Sequence, residues 1–398
     1  MKQHSISRRG FAAAATAASF GRAVGANDRI RIGLIGAGGR GGNHMTDLNR
    51  LKDLNVTISG VADVYRPNRE RAVGIITKNF GAAPQAVTDY RRLLESKDID
   101  AVVIAVPDFA HPIVLKAAVE AGKDAYVEKP FGTTFPEVKA AYLAVKKSKQ
   151  VVQVGTQRRS DPLLMGAAKL IAGGAIGKVT RIDIGMHFQA PRWKRPPESI
   201  APQDVDWTTF QMGRISKPFD SRLLREWQLF PETTNGIPGL WMSHFIDLIP
   251  WYLNDPYPSS VVSLGGVYLW KDGRVTSDVF HSLLEYPKDV LVSFSMSLTN
   301  SAGVRHLWMG TKGTADLEKG IITSEGSAMK DKVAAEIKIE KETTNSHMHN
   351  FLECVRSRQT PRADVQAGFS HAVAGIMASE ALARGRRMTF DRDKLEIL

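Results

Sequence analysis

The run Gly36-Ala37-Gly38-Gly39-Arg40-Gly41 restricts this chain more than any other stretch, because it joins a short apolar segment to the start of an amphipathic one. Glycines spaced in this way turn the chain sharply out of a strand. They also let bare backbone approach a pyrophosphate, whose charge meets the unpaired N–H groups at the N-terminus of the next helix. Arg31 to Ile35 reads as the strand. Val56 to Ala62, Ala101 to Val106, Asp124 to Val127 and Val151 to Val154 repeat it, while Pro67 to Phe80, Pro112 to Ala121 and Phe135 to Lys147 carry apolar residues at helical spacing. Strands and helices alternating in this order make an α/β fold with a doubly wound parallel sheet. A dinucleotide-binding Rossmann domain is therefore expected over residues 27–155.

The pattern then changes to that of a second, α+β domain over residues 156–398. A helix from Asp161 to Ile171 and a strand from Val179 to His187 precede an irregular Pro-rich loop, Ala190 to Pro202. A helix from Gly239 to Leu253 leads into strands at Val261 to Trp270, Asp278 to Tyr286, Val290 to Leu298 and Arg305 to Met309, with Pro287-Lys288-Asp289 as a hairpin turn. These strands imply an open mixed sheet. Helices at His349 to Arg356 and Ser370 to Arg384 close the chain.

In front of the first strand, Ser7-Arg8-Arg9-Gly10-Phe11 opens an apolar run to Phe20, and Val24-Gly25-Ala26 offers the small residues a signal peptidase accepts. Residues 1–26 thus read as a twin-arginine export signal, with an uncleaved anchor as the competing reading. The expected route is the twin-arginine machinery, the destination the periplasm or another exported location. No later run approaches the roughly 20 apolar residues of a membrane span, so no membrane contact is expected after processing. Four of the twelve excess positive charges belong to Lys2, Arg8, Arg9 and Arg22, and the rest are dispersed, which gives nucleic-acid binding little support. Cys354 is the sole cysteine, excluding an intrachain disulfide and fitting a chain folded before export.

Asp63 ends the second strand about twenty residues beyond the glycines, where a carboxylate accepts from ribose hydroxyls and favours NAD. Arg66 keeps NADP open, since it can swing to a 2′-phosphate. Lys129 follows a buried strand, at the carboxyl edge where open α/β sheets bind ligands. His244 shares a helix face with Leu240, Trp241, Asp247 and Leu248, and imidazole suits the role of base. No metal site is expected, because His347-x-His349 does not share a helix face and no cysteine pair exists.

The stretches Ala105-Val106-Pro107-Asp108-x-x-His111, Ala121-Gly122-Lys123, Val127-Glu128-Lys129-Pro130-Phe131-Gly132, Val154-Gly155-Thr156-Gln157-Arg158-Arg159 and Trp241-x-x-His244-x-x-Asp247 together resemble the glucose-fructose oxidoreductase, inositol dehydrogenase and rhizopine-catabolism (Gfo/Idh/MocA) family. The resemblance implies a second domain with a large, mostly antiparallel sheet whose outer face often forms oligomers, NAD or NADP as cofactor, and a sugar or polyol as substrate. It implies cofactor contacts from Gly36, Gly38, Gly39, Arg40, Gly41, Asp63, Arg66, Pro107, Asp108, His111, Glu128, Lys129, Gln157 and Arg158. Lys129 and His244 would carry the hydride chemistry. Lys129, Arg158, Arg192, Trp193, Trp241 and His244 would meet the sugar. Many members place Asp four residues before the histidine, where this chain has Leu240, so Asp247 is the expected partner of His244. The expectation is an exported oxidoreductase, a homodimer or homotetramer, whose bound cofactor is recycled within each turnover. The alternatives are an NAD-dependent glycosidase working by transient oxidation, elimination and hydration, and a catalytically silent, NAD-holding sugar-binding protein.

Overall fold

The computed structural model describes residues 29–196 and 199–398, so the twin-arginine segment and its processing site lie outside the described residues. The first sheet is built from β1 (Ile30–Ile35), β2 (Val56–Ala62), β3 (Gln85–Val87), β4 (Ala101–Ile104), β5 (Asp124–Glu128) and β6 (Val152–Gly155). Its order is β3-β2-β1-β4-β5-β6, with every pair parallel. Helices α1 (Gly39–Arg50), α2 (Arg66–Phe80), α3 (Tyr90–Leu94), α4 (His111–Glu120) and α5 (Phe135–Lys147) cover it. Coverage on both faces explains why β4 and β5 are apolar without alternation: every residue of both is buried.

After α6 (Pro162–Ala172), β7 (Val179–His187) enters a second sheet. The short helices α7 (Trp207–Gln211), α8 (Ser221–Arg225), α9 (Ser243–Ile246) and α10 (Leu248–Leu253) precede β8 (Ser260–Gly266), β9 (Val279–Tyr286), β10 (Val290–Ser297) and β11 (Gly303–Gly310). Edge strands β12 (Thr314–Asp316), β13 (Ile321–Thr323) and β14 (Ile337–Lys338), helices α11 (His347–Ser357) and α12 (Val365–Arg384), and strands β15 (Met388–Asp391) and β16 (Glu396–Ile397) complete the chain. The strand order is β14-β13-β12-β11-β7-β10-β9-β8-β15-β16, and neighbours run antiparallel except β7 and β10, which are parallel. Strand β9 alternates as its sequence does: Phe280, Ser282, Leu284 and Tyr286 point inward, and His281, Leu283 and Glu285 outward.

Helix α12 ties the two sheets together. Gly368 lies so close to Val154 and Phe131 that an added Cβ would come within 2.6 Å of one and 2.8 Å of the other, and His371 Nε2 accepts the Phe131 N–H at 3.1 Å. Asp364 caps this helix by accepting from Ala367 N, so it starts five residues before the expected Ser370.

Two expected elements are interrupted. The helix read over Gly239 to Leu253 is instead a π-helical turn, Pro238–Met242, followed by α9 and α10. Pro250 has no N–H to give Ile246, which breaks the ladder near Asp247. The strand read to Trp270 stops at Gly266, because the amides of Tyr268, Leu269 and Trp270 turn onto the buried Asp278 carboxylate at 2.7–2.9 Å.

Candidate functional site

A cleft of about 910 Å³ runs along the carboxyl edge of the first sheet, from the glycine turn to the π-helical turn and the Pro-rich loop. At one end Gly36 has φ +88°, and a Cβ there would sit 2.5 Å from the Ala105 carbonyl oxygen. Gly41 is equally closed, packed against the Gly36 carbonyl. Gly38 and Gly39 are open: a Cβ would meet only Asn68 at 3.9 Å in the first case and nothing within 4 Å in the second. The α1 N-terminus is capped by no side chain, so its N–H groups face a space that suits a pyrophosphate. These residues fit the dinucleotide that the glycine pattern implies.

Asp63 borders the same end. Its Oδ2 accepts from Ala37 N at 2.7 Å and its Oδ1 from Tyr65 N at 2.8 Å; burial pushes the carboxyl up, partly offset by those N–H groups. The carboxylate thus shapes the turn and lines the cleft. Arg66 departs from expectation. Its guanidinium is exposed and tied to Asp204 at 2.5 Å and Glu70 at 3.3 Å, outside the cleft lining. Arg71 and Asn68, three residues apart on the other face of α2, line the cleft instead, and Arg71 donates to the Ala37 carbonyl at 2.7 Å. The spacing of Asn68 and Arg71 was the available signal for them.

At the other end, Glu128 closes β5 with a buried carboxylate. Its Oε1 meets Arg40 Nε at 2.7 Å, His44 Nε2 at 2.9 Å and Gln157 Nε2 at 3.0 Å. Burial alone would raise Glu128, but His44 and Arg40 outweigh it and hold the carboxyl below its ordinary range. Arg40, Glu128 and Gln157 therefore form one bonded cluster on the cleft wall. Lys129 points the other way and donates from Nζ to the Leu240 carbonyl at 2.7 Å. That carbonyl belongs to the π-helical turn, a common feature of functional sites. Burial lowers the Lys129 pKa, with Asp108 and Glu128 opposing.

Asp108 is fully buried and accepts from Thr234 Oγ1 at 2.7 Å; burial pushes its carboxyl up to about 7, against the pull of Lys129. His111 Nδ1 lies 2.7 Å from the Pro130 carbonyl oxygen, which makes Nδ1 the protonated nitrogen. Burial takes His111 down to about 4, so it is a neutral brace for the Lys129–Pro130 loop. Pro107 lines the cleft beside them.

His244 reaches the cleft from α9, its ring 6.0 Å from that of Trp241, with no hydrogen-bond partner among the described residues. Burial first, and then the Lys129 charge, hold its pKa well below 6.5. Its expected partner is elsewhere. Asp247 is fully buried under Arg159, which grips its two oxygens at 2.7 and 3.1 Å, and it lies 3.9 Å from His371. A buried carboxylate takes a bidentate guanidinium in preference to an imidazole at the cleft edge. Arg158 is also displaced from the cleft: its guanidinium lies over Phe245, 4.4 Å from the ring centroid. It still helps keep His244 neutral through its charge.

The wall facing His244 comes from the Pro-rich loop. Arg192 stacks on Trp241 and Phe188, 5.1 and 5.4 Å from the ring centroids, and Trp193 lies beside it at φ +67°. Arg195, Trp227 and Gln228 also line the cleft and carry no local sequence signal. His347 is occupied by Val154 and Ser160 and His349 by Glu353; among the described residues no three His, Cys, Asp or Glu gather as a metal site. No helix among them is long and apolar enough to cross a membrane.

Comparison with known proteins agrees with this geometry. Residues 30–156 match the model of an oxidoreductase family with an NAD-binding Rossmann fold, and residues 168–390 match that family's C-terminal alpha/beta domain. Inositol 2-dehydrogenase 4 of Saccharopolyspora erythraea is 33% identical over 157 residues, 38% of this chain and 44% of that protein. Inositol 2-dehydrogenase of Salmonella typhimurium is 28% identical over 171 residues, 42% and 49% of the two chains. The chain thus spans about half the length of the curated relatives it matches. Among solved structures, the WlbA dehydrogenase from Bordetella pertussis in complex with NADH and UDP-GlcNAcA superposes with a TM-score of 0.69 at 17% identity, over 91% of this chain and 99% of that one. A levoglucosan dehydrogenase in complex with NADH gives 0.67 at 19%, over 90% and 98%. At these identities the likeness is one of fold. Sheet order, glycine turn and the match of both halves lead to one assignment: the chain belongs to the Gfo/Idh/MocA oxidoreductase family.

Proposed function

We propose that this protein is an NAD-dependent oxidoreductase acting on a secondary alcohol of a sugar or sugar derivative. The carrying observation is that Lys129 and His244 border one cleft whose far end is the glycine turn. A nicotinamide bound there supplies the hydride acceptor and donor. Neutral His244 takes the proton leaving the alcohol oxygen, and the Lys129 ammonium donates to that oxygen as it changes between hydroxyl and carbonyl. The Leu240 carbonyl aims Lys129 without titrating. Asp108, buried nearby, supplies the compensating negative charge. Trp241 and Trp193 line the cleft with aromatic surface on which a sugar ring packs.

We further propose export by the twin-arginine route, supported by Ser7-Arg8-Arg9-Gly10-Phe11 and the apolar run behind it. Outside the cytoplasm no dinucleotide pool restores the cofactor, so each turnover must return it to its starting state. A sugar-to-sugar exchange does this, and so does glycoside cleavage through transient oxidation. Denaturing the exported protein should release close to one NAD(H) per chain, followed by turnover of paired sugars or aryl glycosides without added cofactor. Native protein that releases no dinucleotide and works only with added NAD would instead be an ordinary dehydrogenase. Dinucleotide release with no activity on any sugar would leave the sugar-binding alternative.

A further inference from the structure

We infer that the substrate carries a carboxylate, read by Arg192, so that the substrate class is an acidic sugar such as a uronate or aldonate; this rests on the oxidoreductase reading above. The Arg192 guanidinium lies on Trp241, and Trp241 lies against His244, so the cation stands one indole away from the base. The two rings hold the guanidinium within 5.4 Å of their centroids, and none of its N–H groups is taken by a hydrogen bond to a described residue, so the fork that meets a carboxylate with two parallel hydrogen bonds is available.

The position is built. Arg192 N donates to the Ala190 carbonyl at 2.8 Å, and its own carbonyl accepts at 3.1 Å from Arg274. Arg274 is itself buried and held by Asp272 at 2.7 Å. Arg192 is thus an exposed side chain whose head lies against two rings and whose backbone is pinned.

Charge around the cleft points the same way. Its acidic lining residues are Asp63, Asp108 and Glu128, all contributed by the first sheet and its loops. Asp63 is held by backbone N–H groups, Asp108 by Thr234, and Glu128 by Arg40, His44 and Gln157. On the loop side, Glu226 is buried outside the lining and bound to Lys194 and Arg222. Arg192 and Arg195 make no ion pair with any described residue. A carboxylate complements the cationic side chains described on this wall, whereas a neutral sugar makes no charge pair with them.

The test uses the full chain, loaded with NADH for binding, following tryptophan fluorescence on titration with glucuronate, glucose and glucose 6-phosphate, and loaded with NAD+ for turnover, read as the nicotinamide absorbance that appears when the alcohol gives up its hydride. Glucuronate should bind about ten- to a hundredfold tighter than glucose, the range of one charge-assisted pair. Arg192→Gln should raise the glucuronate Kd and KM by the same factor and leave those for glucose nearly unchanged, and Arg192→Lys should recover only part. Arg195→Gln, read by the same ratio, covers the case in which the Arg192 variant does not fold. Equal binding of glucose and glucuronate, or an equal loss for both in Arg192→Gln, overturns the inference while the oxidoreductase reading stands. Tighter glucose 6-phosphate overturns the carboxylate assignment. If no sugar of any charge binds or changes the cofactor, the oxidoreductase reading itself fails.

Discussion

Lys129 takes its direction from a peptide carbonyl and its charge compensation from a separate buried carboxyl, and these two roles respond differently to mutation. Replacing Lys129 by Met, or His244 by Gln, should lower turnover about 10²- to 10⁴-fold, the range of a lost acid–base group. Dinucleotide retained after purification should not change in the His244 variant, because that residue makes no bond across the cleft and does not belong to the glycine end; quantifying NAD(H) released on denaturation beside steady-state rates checks this. Asp108→Asn acts through pH. The carboxyl titrates at about 7, so it is charged above and neutral below, and it supports the Lys129 cation only when charged. Between pH 5 and 9 the parent should show an inflection near pH 7 in kcat/KM, and the variant should lose it. At this scale the sequence made Lys129, His244 and Asp108 legible, because each stands in a local motif. Arg66, Arg158 and Asp247 were not, since their partners Asp204, Phe245 and Arg159 are 138, 87 and 88 residues away and no spacing rule joins them.

Among the elements, the glycine turn separates folding from binding. At Gly36 the left-handed φ and the Ala105 carbonyl leave no room, so Gly36→Ala should cost more than about 1–2 kcal/mol of stability, visible as a lower melting temperature. At Gly38 a Cβ meets only ordinary contact. Gly38→Ala should therefore melt like the parent while its dinucleotide Kd rises at least about tenfold, because the backbone can no longer approach the pyrophosphate. Isothermal titration of both variants against thermal melts separates the two effects. Strands β1, β2 and β7 were legible from apolar runs and alternation. The π-helical turn at Pro238–Met242 was not, since the Leu240 carbonyl meets Lys129 from the other sheet, too far along the chain for any spacing rule, and the short edge strands β12 to β14 are too brief to carry a period.

For the whole molecule, buried histidines set the acid limit. Burial lowers His111 and His347 to about 4 and His306 to about 3, from 6.5. Their folded pKa lies below the unfolded one, so the unfolded chain binds more protons and stability falls as pH drops from 6.5 towards 4. Asp108 acts oppositely, losing stability as pH rises from 3.8 to about 7, and Asp63 is raised in the same sense, but His244 is lowered by burial and joins the three histidines on the other side. Melting temperature should rise with pH from 4 to about 7 and then level off. The outer face of the second sheet carries Leu264, 79% exposed, with Leu283 and Leu291 about half exposed. We propose that this face joins copies of the chain. Leu264→Lys with Leu283→Lys should then shift the mass measured by light scattering to that of a single chain.

Because the Lys129 bond to Leu240 joins a loop of the first sheet to a turn packed on the second, it acts as a clasp across the cleft. Any parting of the two layers wide enough to admit or release a dinucleotide unfastens the reactive ammonium at the same moment. On the role proposed for Lys129, an open molecule is an inactive one, and a cofactor drifting loose is not consumed in a stray half-reaction.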